Sequence, residues 1–113
     1  MIYSSGRSFT LDPSIKWVYT NCVRLEFDPA KDDVNRKKHG ISLRAAVDFE
    51  WGTALEREDD RFDYGEMRFV AIGLIEFRLH VLVFAEGTDE DSVRAISLRP
   101  AEKHEMRFYY GKI

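Results

Sequence analysis

Three apolar runs crowd the second half of the chain: Met67 to Leu74, Leu79 to Phe84 and Val93 to Leu98. The last two are separated by Glu86-Gly87-Thr88-Asp89-Glu90-Asp91, whose Gly and Asp content is that of a hairpin connection. Strands that follow one another this closely pair antiparallel, so the pattern commits this half of the chain to a sheet.

The first half supplies one more strand and the helices. Val23, Leu25 and Phe27 alternate with Arg24 and Glu26, as in a strand with one buried face. Asp28-Pro29 then reads as a helix start, because Asp accepts first-turn amides and Pro at the first helical position gives up no hydrogen bond. The helix is expected to reach about His39. There Gly40 suits a left-handed terminus, and Lys37, Lys38 and His39 complement the negative end of the dipole. Ser42 can cap a second helix with Leu43, Ala46 and Val47 as its apolar stripe and Gly52 as its stop. A short strand near Ala54 to Arg57 precedes an acidic loop that runs through Gly65. Pro100 opens a final helix carrying Met106, Phe108, Tyr109 and Tyr110. The predicted order is βααββββα, an α+β domain with an antiparallel central sheet. Residues 1–21 read as an N-terminal extension, either a tail or an extra edge strand in which Trp17 and Tyr19 alternate. Residues 22–113 read as one domain.

A chain of 113 residues with 44% hydrophobic content can bury a core without disulfides or metals. Cys22 is the only cysteine, and no paired Cys/His spacing points to zinc, so a reducing compartment and no metal or cofactor are expected. No apolar stretch approaches the length of a membrane helix, and the expected location is cytoplasmic. The formal net charge is -3. Acidic residues crowd Glu56 to Asp63 and Glu86 to Asp91, while Arg36, Lys37, Lys38, His39, Arg94, Arg99, Lys103 and Arg107 could form a local basic patch.

From about Val23 to Tyr110 the chain resembles the BrnT family. The resemblance rests on Phe27-Asp28-Pro29-Ala30-Lys31, Asn35 and Lys38-His39-Gly40-Ile41-Ser42. Further on it rests on Tyr64-Gly65-Glu66-x-Arg68-Phe69-Val70-Ala71-Ile72-Gly73 and Arg94-Ala95-Ile96-Ser97-Leu98-Arg99-Pro100-Ala101, with Glu105 downstream. At Ile75-Glu76-Phe77 the glycine often found in the family's turn is missing. The resemblance implies a RelE-like fold and a metal-independent ribonuclease that arrests growth. It also implies neutralisation by a BrnA-type antitoxin, with promoter DNA bound only through the antitoxin complex.

Metal-independent cleavage of RNA needs a group to take the 2′-OH proton, a group to protonate the leaving oxygen, and positive charge around the phosphate. His39 titrates near neutrality, although next to a helix-ending glycine it could equally be a dipole partner. Lys38 could hold phosphate or be a solvated charge. Arg94 and Arg99 present forks that fit phosphate oxygens, and Arg68 is a further candidate unless it merely pairs with Glu66. In a regular strand Arg94 shares a face with Ile96 and Leu98, so Arg94 and Arg99 meet only if the junction after the strand turns.

As substrate contacts, Asn35 could orient His39 or cap a loop carbonyl, and Glu105 could orient an arginine or simply solubilise its helix. Trp51, Tyr109 and Tyr110 could stack bases or fill the core. His80 reads as structural and His104 as exposed. Two classes of function stay open: an endoribonuclease, and a non-catalytic module that binds an antitoxin-like partner within an autoregulatory complex. The enzyme requires His39, Lys38 and an arginine in one place.

Overall fold

The computed structural model describes residues 24–112 apart from 62, 64 and 89; the expectation for residues 1–21, like Cys22 and Val23, lies outside them. Among the described residues, five strands form one sheet: β1 (Arg24–Glu26), β2 (Leu55–Glu58), β3 (Phe69–Ile75), β4 (Arg78–Glu86) and β5 (Ser92–Pro100), in the spatial order β1-β5-β4-β3-β2. The three apolar runs become β3, β4 and β5 in antiparallel succession, with β2 antiparallel on β3. The sheet is nevertheless mixed, which corrects the expectation of an antiparallel one. Strand β1 joins the outer edge of β5 in parallel, with Leu25 opposite Val93. Glu26, at the end of β1, accepts from the Thr88 hydroxyl at 2.6 Å and so ties the β4–β5 connection to that edge.

Helix α1 (Pro29–His39) forms as its sequence dictates. Asp28 Oδ1 accepts from the Ala30 amide at 2.9 Å, Pro29 is the first helical residue, and Gly40 closes the helix at φ 74. The second helix departs from expectation. It is a 3-10 segment, Leu43–Asp48, followed by another at Trp51–Thr53 that contains Gly52 instead of stopping before it. A three-residue turn stacks positions three apart. Leu43, Ala46 and Phe49 therefore point inward, whereas Val47 is 65% exposed. Asp32 of α1 fixes this segment by accepting from the Leu43 amide at 2.7 Å and the Ser42 hydroxyl at 2.9 Å.

Each face of the sheet has its own core. On one, Ala71, Ile75, Leu82, Phe84, Val93, Ala95 and Leu98 meet Leu43, Ala46 and Phe49. Gly73 makes room there, since a Cβ on it would lie 2.5 Å from the tip of the Phe49 ring. On the other, Leu79 and Val81 meet Ala101 and Tyr109 of the C-terminal segment. Pro100 ends β5 rather than opening the last helix, α2, which runs Lys103–Lys112. The Glu102 amide donates to Glu105 Oε1 at 2.7 Å, the reach-back half of a capping box.

Two irregularities mark the sheet among the described residues. Strand β5 carries a bulge: Phe84 pairs with Ala95 but Val83 pairs with Ser97, so Ile96 is the extra residue. The bulge reverses the parity of everything after it. Arg94, Ser97 and Arg99, opposite Ala85, Val83 and Val81, thus share one face, and Leu98 joins Ala95 on the other. The second irregularity is the β3–β4 turn, where Glu76 and Phe77 take φ 49 and 70, positive values normally left to Gly or Asn.

Candidate active site

The site forms where α1, β5 and α2 converge. Asn35, buried in α1, aligns the first two: its amide nitrogen donates to the Leu98 carbonyl at 2.8 Å and the Ile41 carbonyl at 2.9 Å, and its oxygen accepts from the Leu98 amide at 3.0 Å. Strand β1 pairs with β5 only as far as Arg94. Further along the same strand, the Asn35 side chain satisfies a backbone edge that would otherwise be bare. Its hydrogen bonds therefore go to backbone, not to the His39 ring.

At Arg99 the strand meets α2. The guanidinium forms a two-pronged pair with Glu105, Nη1 to Oε1 at 2.8 Å and Nη2 to Oε2 at 2.7 Å, and Nη1 also donates to the Pro100 carbonyl at 3.2 Å. The Arg99 hydrogen bonds hold the Glu105 carboxyl below its usual range, against the opposing effect of burial. Glu105 in turn holds the Arg99 proton more firmly. The carboxylate takes the two-nitrogen end of the fork and fixes the plane and position of the guanidinium charge.

His39 belongs to the same neighbourhood. Its pKa is lowered from 6.5 by burial first, and then by the positive charges of Lys38 and Arg99. A helix C-terminus alone would raise it. The imidazole is thus neutral at neutral pH, with two cations close by. Arg99 and Glu105 are in direct contact, and Lys38 and Arg99 both act on the His39 imidazole through their charge.

The remaining candidates sit elsewhere. Arg68 and Arg94 meet at Glu66, near the opposite end of β5: Arg94 Nη2 lies 2.5 Å from both carboxylate oxygens, and Arg68 Nε lies 3.4 Å from one of them. Trp51 packs edge-on to Phe49 and Phe84, with ring centroids 4.8 and 5.1 Å away. Tyr109 is buried and donates its hydroxyl to the Thr53 carbonyl at 3.0 Å, while Tyr110 is exposed. Tyr109 is therefore a core residue without a ring face for stacking, whereas Trp51 is only partly buried. His80 is buried, with Nδ1 2.9 Å from the Arg78 carbonyl. Glu102, His104 and Glu105 bring ligand atoms within 4.8 Å of one another, but Glu105 is already shared by Arg99 and the Glu102 amide. Glu66 was legible in the sequence only as a partner for Arg68; its grip on Arg94, 28 residues away, depends on the long-range pairing of β3, β4 and β5.

Over residues 27–105 the chain matches the profile of a family described as the ribonuclease toxin BrnT of type II toxin–antitoxin systems. The chain belongs to that family. The match includes the Lys38-His39 pair, the Glu66-to-Arg68 cluster, Arg94, Arg99 and Glu105. No curated protein matches it significantly. A BrnT toxin has RNA as its substrate class and an antitoxin protein as its partner. Among the described residues, no helix is long and apolar enough to cross a membrane.

Proposed function

We propose that this BrnT-family chain is a metal-independent endoribonuclease of RelE-like fold, acting in the cytoplasm, whose catalytic groups are His39, Lys38 and Arg99. The observation that carries this reading is the Arg99 guanidinium fixed by Glu105, whose charge, with that of Lys38, disfavours the proton on the partly buried His39 imidazole. His39 takes the proton of a ribose 2′-OH, and the freed oxygen attacks the adjacent phosphorus. The bond to the 5′-oxygen breaks as that oxygen receives a proton, for which the Lys38 ammonium is at hand. A cyclic phosphate and a 5′-hydroxyl result. Arg99 bears the charge that builds on the phosphate, and Glu105 acts through Arg99 as a positioning residue. A BrnA-type antitoxin neutralises the toxin by covering this site, and promoter DNA is reached only through their complex.

The net charge of -3 favours a second reading, a non-catalytic module that binds a basic antitoxin-like partner. Inducible expression of wild type, His39→Ala and Arg99→Ala, scored for growth and intact messenger RNA, separates the two. The enzyme reading expects arrest and RNA loss with wild type and neither with the folded variants. A harmless wild type, or equal toxicity of all three, overturns it in favour of the module.

A further inference from the structure

Arg94 and Arg99 lie on one face of β5 because of the bulge, four rungs apart along the ladder with β4, or about 13 Å. Between them, Ser97 and Val83 are only partly buried, whereas α2 packs at the Arg99 end over Val81 and Leu79. The sheet thus presents a strip with a cation at each end. At the Arg94 end two guanidiniums converge on the Glu66 carboxylate, which their hydrogen bonds hold ionised. The two guanidiniums already hold one oxyanion between them, Arg94 through Nη2 alone, and a phosphate offers oxygens to the same donors. All three side chains are solvent-accessible, between 22% and 37% exposed, so the pairing can open without unfolding.

We propose that Arg94 and Arg68 form a second phosphate subsite, remote from the scissile bond, and that Glu66 occupies it as an internal anion until the RNA backbone displaces it. The inference rests on the reading of the chain as an RNA-acting protein, but concerns binding and not cleavage. A dinucleotide has a single phosphate, the one at Arg99, and so cannot fill this subsite as well. The subsite therefore serves longer strands and sets how the toxin grips RNA along the sheet.

The test is equilibrium binding, read by fluorescence anisotropy, of uncleavable 2′-O-methyl oligoribonucleotides of increasing length from the dinucleotide upward. The proteins are wild type, Arg94→Ala and Glu66→Gln, each checked for a wild-type thermal transition. Wild type should tighten stepwise once the strand reaches Arg94. Arg94→Ala should abolish that step and reduce the salt slope of log K by about 0.7, the single-strand value for one phosphate contact. Glu66→Gln should tighten long strands several-fold and leave the dinucleotide unchanged. The proposal falls if the step survives in Arg94→Ala, or if Glu66→Gln weakens long strands, which would make Glu66 a structural support. Because the probes cannot be cut, these outcomes hold even if wild type proves inactive in the growth assay. Absence of any binding to long strands would overturn both readings.

Discussion

Asn35 and Leu98 exchange hydrogen bonds in both directions, so that one side-chain amide does the work of a missing strand at the outer edge of β5. Asn35→Ala would leave the Leu98 amide and carbonyl unpaired, along with the Ile41 carbonyl, and each buried unsatisfied group costs about 1–3 kcal/mol. We expect Asn35→Ala to lose roughly 3 kcal/mol in urea denaturation. Asn35→Asp should fare little better, because a carboxylate cannot donate to either carbonyl. A loss below about 1 kcal/mol would mean that the edge is satisfied by other means.

The Arg99–Glu105 pair should show coupling in a double-mutant cycle. Both side chains are largely shielded, 30% and 16% exposed, and the contact is two-pronged. A coupling energy of about 1–2 kcal/mol in thermal or urea unfolding is expected for Arg99→Ala with Glu105→Ala. In RNA cleavage, Arg99→Lys should not restore wild-type kcat, since an ammonium cannot reproduce the fork. Full restoration would show that only the charge at Arg99 matters.

How much of this was legible beforehand differs by element. Strands β3 to β5 and the start and end of α1 follow from alternation and capping, which are local. Val47 next to Ala46 completes an α-helical stripe with Leu43, which hides the three-residue spacing of Leu43, Ala46 and Phe49 that the core selects. The parallel placement of β1 and the bulge at Ile96 depend on pairing between distant segments, which no local pattern encodes. For that reason Lys38 and His39 could be named as neighbours in sequence, but the action of the Arg99 charge on His39, and the separation of Arg94 from Arg99, could not.

The β3–β4 turn offers a stabilising substitution. Glu76 and Phe77 both hold positive φ, and Phe77 is 93% exposed, so its ring contributes little packing. Glu76→Asn with Phe77→Gly supplies the residues that a two-residue hairpin of this kind prefers. A gain of about 1–2 kcal/mol in unfolding free energy is expected, because each strained position costs on the order of 1 kcal/mol or more. An unchanged or lower stability would indicate that the ring or the carboxylate has a partner that outweighs the strain.

His39 makes activity and stability depend on pH in the same window. Its native pKa lies below the 6.5 of the free imidazole, because burial, Lys38 and Arg99 all disfavour the proton. As pH falls through 6.5 the unfolded chain takes up a proton that the native protein still refuses, so stability declines until the native pKa is passed. If His39 is the base, kcat/KM should fall on the acid side with an apparent pKa below 6.5 and sit on its plateau at neutral pH. Replacing Lys38 with Met removes one of the repelling charges and should move the His39 titration upward, toward 6.5, and with it the acid limb of the activity that remains once the proposed proton donor is gone. The imidazole C–H resonances of His39, followed by NMR across the titration in wild type and Lys38→Met, read this directly. An unshifted resonance would show that Lys38 does not act on His39. An acid limb that stays put while the resonance moves would assign the base to another group.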